Sequence, residues 1–180
     1  MHTRDDIIRF WFVEHGPDDW FSGAADFDAR LTERFADTHA RIAAGEAFSW
    51  RATAGGRLAE IIVLDQFSRQ LHRGSPKAFA QDGMALVLAQ EAVAGGFDRA
   101  LEPQRRMFLY MPYMHSESLV VHEEAVRLFA ALGIEEQLKY EVAHFDCLKR
   151  FGRYPRRNAA LSRESTPEEL KYIASGEGMF

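Results

Sequence analysis

An all-α fold is what the sequence predicts, and three observations carry it. Apolar residues recur at helical spacing from end to end, and no segment shows sustained alternation of apolar and polar residues bounded by turn residues. Helix start and stop signals also divide the chain into stretches of about 10 to 20 residues. Thr3 caps a first helix that ends near His15, with Ile7 and Trp11 on one face, and Gly16-Pro17 stops it. A second helix runs from about Asp26 to Ala44, with Phe27, Leu31 and Phe35 at i, i+4 spacing and Gly45 behind it. Trp50 sits in a connector. Thr53 or the glycines after it open a third helix through Leu71, and Ser75-Pro76 opens a fourth that ends at Gly95-Gly96. Glu102-Pro103 starts a fifth, which Pro112 is expected to break. A sixth spans about Ser118 to Leu132, and Gly133 parts it from a seventh ending at Gly152. Thr166-Pro167-Glu168-Glu169 gives a cap, a proline and a capping-box glutamate for a short last helix.

Helices of this length joined by short turns pack most simply as stacked antiparallel hairpins. Small residues on the fourth (Ala78, Ala80, Gly83, Ala85, Ala89, Ala92) allow the close approach that a tetratricopeptide-repeat-like superhelix needs, although no 34-residue repeat is legible. No linker interrupts the pattern, so residues 1–180 are expected to form a single all-helical domain.

Composition narrows the function classes. With 47% hydrophobic and 27% charged residues the chain has the makings of a folded core. The longest apolar run, Met84–Ala89, is far short of the roughly 20 residues of a membrane span, and the acids at Asp5 and Asp6 do not fit a secretory leader. One cysteine, Cys147, leaves neither an internal disulfide nor a multi-thiolate metal site, so a reducing cytoplasm is the expected setting. A net charge of −5 gives the whole molecule no electrostatic attraction to nucleic acid or anionic lipid. Locally the balance reverses: Lys149, Arg150, Arg153, Arg156, Arg157 and Arg163 fall in a stretch without an acid.

Four segments carry residues suited to chemistry. Asp65 continues the inward stripe of Leu58 and Ile61, and Arg69 follows it in the acid-before-base order of an i, i+4 pair. A structural ion pair is the plain reading; the functional one has Arg69 and Gln66 pointing into a shared cavity. His115-Ser116-Glu117 follows Pro112, with His115 as a proton carrier and Glu117 as the group that orients it, or with all three merely locking a loop. Glu141 and His144 have the Glu-x-x-His spacing of di-iron bundles, but no second such pair exists, so neither a metal nor a cofactor is expected. Phe151-Gly152-Arg153-Tyr154-Pro155-Arg156-Arg157-Asn158 offers guanidinium groups from a short turn, suited to carboxylate or phosphate. These arginines repel one another unless internal acids or an anion compensate them. Arg150 and Arg156 are assigned to structure, and Arg153, Arg157 and Asn158 to a ligand.

Taken together, Ile8–Phe12, Trp20-Phe21, Leu64–Arg69, Ala78–Asp82, Tyr113–Glu117, Arg150–Asn158 and Arg163–Glu169 resemble the bacterial domain of unknown function 924. The resemblance spans nearly the whole chain. It implies a tetratricopeptide-repeat-like helical superhelix and no settled activity. The chain departs from the family pattern at Ser68, where a proline is expected, Ser118 (an acid), His122 (glutamine), Arg156 (histidine) and Ser162 (glycine). An arginine at 156 could not serve as a proton carrier at neutral pH.

The functional expectation is a binding module whose concave side gathers Asp65, Gln66, Arg69, His115, Glu117, Arg153, Arg157 and Asn158 around a small anionic molecule or an acidic peptide terminus. The alternative is an enzyme acting on a phosphorylated or carboxylated metabolite, with His115 as proton carrier, Glu117 orienting it and the arginines as clamp. Nucleic acid is the weakest candidate partner, reachable only through the basic stretch.

Overall fold

Thr3 starts the first helix with a reciprocal cap: its hydroxyl accepts from the Asp6 amide while the Asp6 carboxylate accepts from the Thr3 amide. From this cap α1 (Arg4–Arg9) runs into a widened π turn, Phe10–Glu14, and the short α2 (Pro17–Trp20) follows. The structure, a computed structural model, describes residues 1–178. After α3 (Ala25–Ala43) and a 3-10 turn (Phe48–Ala52), Thr53 caps α4 (Ala54–Ile62), which passes through a second π turn (Val63–Phe67) into α5 (Ser68–Leu71). The rest comprises α6 (Asp82–Ala94), α7 (Pro103–Met114), α8 (Leu119–Leu132), α9 (Glu135–Phe151) and α10 (Pro167–Ala174). The described residues contain no strand, and the fold is all-α.

Two elements differ from expectation. Ser75 does cap a helical turn, but only the 3-10 turn Pro76–Phe79; the chain bends at Ala80-Gln81 before α6, which brings the Asp82 carboxylate onto two arginines. Pro112 lies inside α7 without breaking it, because the helix ends two residues later and the proline removes just one backbone donor near that end.

The α4–α5 helix is the centre of the molecule. Every residue from Leu58 to Ser68 is buried, about three turns, so no side of this stretch is left to solvent. It packs against α1, α6 and α7 along α4 and against α3 at the π turn and α5, while α7, α8 and α9 lie successively against one another. Gly56 permits the tight start: a Cβ there would sit 2.0 Å from the Trp50 carbonyl oxygen. Around the centre Phe10, Trp11, Trp20, Phe27, Phe67 and Phe108 form an aromatic core, and Trp20 Nε1 donates to the Trp11 carbonyl at 2.8 Å. Ile7, Trp11, Phe35, Ile61, Leu64 and Phe129 are buried as their spacing predicts. Leu86, Val126, Leu138 and Phe145 are half-buried.

Candidate functional site

The second π turn sets the site's geometry. It carries Asp65 and Gln66 to the end of α7, where His115 closes the helix. Such turns recur where a helix must aim functional side chains away from its regular face. Asp65 is fully buried, and its oxygens are all occupied. Oδ1 accepts from His115 Nδ1 at 2.7 Å and faces Arg69 Nη1 at 3.1 Å, while Oδ2 accepts from Gln66 Nε2 at 2.6 Å. Arg69 also donates to the Asp65 carbonyl at 2.7 Å and grips Asp82 with two bonds of 2.9 and 3.1 Å.

Arg157 arrives from the opposite end of the sequence. Gly152 ends α9 in the left-handed region at φ +69°, a conformation that a side chain resists, and the chain turns back through the 3-10 turn Pro155–Arg157. Arg157 then donates to the His115 carbonyl at 2.9 Å, reaches Asp82 at 3.3 Å, and lies over the rings of Phe79 and Tyr154. Tyr154 fixes the loop from behind, with its hydroxyl against the Met114 carbonyl and His122 Nε2, both at 2.8 Å. His122 is buried and bonded through Nδ1 to the buried Glu141 at 2.6 Å.

Electrostatics divides the labour. Burial alone would raise the Asp65 carboxyl, but Arg69 and the His115 contact outweigh it and hold Asp65 ionised. Burial, reinforced by Arg69, pushes His115 below its ordinary range. With Asp65 accepting at Nδ1, the neutral imidazole carries its proton there and leaves a lone pair on Nε2. His144, whose ring lies 6.3 Å from that of His115, is pushed down to about 3, chiefly by burial. Two neutral imidazoles therefore stand beside the Arg157 guanidinium. The side chains of His115, Arg69 and Arg157 keep 15%, 20% and 14% of their surface exposed, so the cluster is reachable from solvent.

The profile of a family described as "Bacterial protein of unknown function (DUF924)" matches residues 7–177. The chain belongs to the DUF924 family. A solved structure, that of a protein of unknown function from Agrobacterium tumefaciens, superposes with a TM-score of 0.91 at 39% sequence identity, covering 96% of this chain and 97% of that one. The search of curated proteins gave no match.

Within this DUF924 chain the candidate residues separate into two groups. Asp65, Gln66, Arg69, His115 and Arg157 converge. Glu117 does not orient His115: it takes two bonds from Arg163 and one from the Tyr154 amide, and Asp65 holds the imidazole instead. Arg153 is gripped by both oxygens of Glu169 and by the Glu164 carbonyl, and buried Asn158 turns to Ser165 and Glu169. The basic stretch is in fact compensated internally. Arg150 pairs with Glu168, Lys149 with Asp146, Arg163 with Glu117, and Arg156 meets the carbonyls of Ile173 and Glu177 past the end of α10.

Asp82 and Phe79 belong to the site without having been singled out for it. Asp82 was hidden because an acid at a helix start reads as dipole complement, whose partners 13 and 75 residues away leave no local trace. A hollow lined by His2, Phe10, His15 and Arg34 lies apart from the cluster, between α1 and α3. No helix among the described residues is long and apolar enough to cross a membrane.

Proposed function

We propose that this DUF924 protein binds a small carboxylate- or phosphate-bearing molecule over His115, between Arg69 and Arg157. The observation that carries the reading is the Asp65–His115 pair: a fully buried carboxylate holds the imidazole at 2.7 Å beside two half-buried guanidinium groups, with Nε2 left as acceptor. Guanidinium forks suit planar or tetrahedral anions, and a partly desolvated site strengthens them. Arg153, Asn158 and Glu117 serve this reading as supports of the loop, not as contacts to the ligand. The successive packing of α7, α8 and α9 supports a tetratricopeptide-repeat-like scaffold, a kind that commonly binds on its concave surface.

The same pair favours a second reading, in which His115 Nε2 takes a proton from the bound molecule. Asp65 would stabilise the imidazolium that forms, as a buried carboxylate does in other acid–base pairs.

The test is an NMR titration of the His115 imidazole, assigned with His115→Gln, against phosphate, sulfate and small carboxylates, each compared with chloride at matched ionic strength. A saturable shift with at least one of these anions, lost in Arg157→Gln, is expected. No shift beyond that of chloride overturns the binding reading and the proton-transfer reading with it.

A further inference from the structure

The charges at the site balance only because of Asp82. Arg69 and Arg157 bring two cations, Asp65 and Asp82 two anions, and His115 is neutral. Without Asp82 the two guanidinium groups share a single carboxylate, and one negative charge is missing at the exposed side of the cluster. Asp65 cannot leave, since it is fully buried and all its oxygens are held. Asp82 is different. Its side chain is 20% exposed, and its carboxylate is held only by Arg69 and Arg157 among the described residues.

We infer that Asp82 is an internal carboxylate standing where the ligand's own anionic group docks, so that the site is built for a singly charged carboxylate that displaces Asp82 to enter.

This rests on the binding reading above and names its ligand class. The Arg69 fork meets Asp82 as it would meet any planar carboxylate, Nη1 on Oδ1 at 2.9 Å and Nη2 on Oδ2 at 3.1 Å. One carboxylate restores neutrality; a phosphate dianion overshoots it. The segment that carries Asp82 also covers the site. Phe79 lies under both guanidinium groups, 5.7 Å from Arg69 and 4.8 Å from Arg157, and the chain between Phe79 and α6 is a two-residue turn. On the far side of Asp82, Gly83 has open space where a Cβ would be. Release of the carboxylate thus moves an aromatic cover and an internal competitor together.

The experiment compares wild type with Asp82→Asn, which keeps the volume and removes the charge. Acetate and benzoate, inorganic phosphate and chloride are titrated at matched ionic strength, read by the His115 imidazole signal and by melting temperature. Removing a competitor that occupies the site most of the time is expected to lower the apparent Kd for the carboxylates by about tenfold or more, with less gain for phosphate and none for chloride. In Asp82→Ala, acetate is further expected to restore part of the lost melting temperature, because it refills the vacated position. Carboxylate binding by wild type with no gain in Asp82→Asn overturns the inference and leaves the binding reading standing. Binding by Asp82→Asn alone shows that a free carboxylate does not displace Asp82, which overturns the inference and, for the wild type, the binding reading. A larger gain for phosphate than for carboxylates overturns the ligand class, and no selective binding by either protein overturns both readings. Should Asp82→Asn fail to fold by circular dichroism, the Asp82→Ala rescue decides alone: no acetate effect beyond chloride overturns the inference.

Discussion

Asp65 and His115 are 50 residues apart in sequence and 2.7 Å apart in space, joined Oδ1 to Nδ1 at the meeting of a π turn and a helix end. The contact fixes which nitrogen of His115 carries the proton and which one faces outward. It also ties the central helix to the end of α7, so that one interaction serves both stability and site geometry.

Stability should therefore depend on Asp65. Replacing it by alanine takes the buried acceptor from His115 and Gln66 and leaves Asp82 alone to face the Arg69 and Arg157 guanidinium groups, a change expected to cost on the order of 3 kcal/mol. Urea denaturation measures it. A loss below about 0.5 kcal/mol, the scale of surface substitutions, would contradict the burial described.

The protonation of His115 gives a second expectation. Burial and Arg69 lower its pKa, so at neutral pH the imidazole is expected to be neutral, with the proton on Nδ1. Nitrogen-15 NMR distinguishes the two ring nitrogens directly. In Asp65→Asn the favourable carboxylate is gone while Arg69 stays, so the pKa should fall further; a rise would reverse the assignment of causes.

Acid sensitivity has a separate origin at His39. Ser68 Oγ gives its proton to the Leu64 carbonyl at 2.6 Å, so it must accept from His39 Nε2 at 2.8 Å, which fits a neutral ring. Burial, with His72 nearby, lowers the His39 pKa from 6.5 to about 4. The unfolded chain takes up a proton in that window and the folded chain refuses it. Stability is thus complete above the unfolded value and falls as pH drops from 6.5 toward 4, by an amount on the order of 2 kcal/mol. His39→Gln removes this contribution. Denaturation curves across that range should be flatter for the variant, and parallel curves would rule the mechanism out.

Ser162 is the one non-glycine residue with positive φ among those described, at 54°. Glycine there relieves the backbone in the folded state and loosens the unfolded one, for a net gain of about 0.5 kcal/mol. The melting temperature of Ser162→Gly should rise by about 1–2 °C. Ser162→Ala, which keeps the Cβ, should show no rise; equal behaviour of the two variants would mean that the backbone carries no strain.

Much of this architecture could be read in advance because its signals are local. The caps at Thr3, Thr53, Ser75 and Thr166 lie where helices or helical turns begin, and Gly133 and Gly152 where they end. The Asp65–Arg69 pair was equally local, a single helical turn. What sequence spacing could not reach was competition between distant partners. Glu117 stands two residues from His115, yet Arg163, 46 residues on, claims it. Arg153 belongs to Glu169 because α10 folds back over the turn, and Asp82 binds Arg69 and Arg157 because a short turn interrupts what reads as one helix. Neither π turn leaves a mark in the hydrophobic pattern, since every residue around the second is buried and no stripe remains to shift phase.

That second π turn makes the central helix two helices out of phase. An α-helix advances by about 100° per residue, and a widened turn absorbs one residue more than a regular turn holds. Deleting any single residue between Val63 and Phe67 would let the helix close into a regular spiral, with its hydrogen bonds intact and its composition almost unchanged. Residues from Ser68 onward would keep nearly their present places, because the widened turn already holds the extra residue within one turn of the helix. What would be lost is the bulge itself, which aims Asp65 at His115 and at Gln66. The extra residue among these five thus serves the aim of the Asp65 carboxylate and not the phase of the helix that follows.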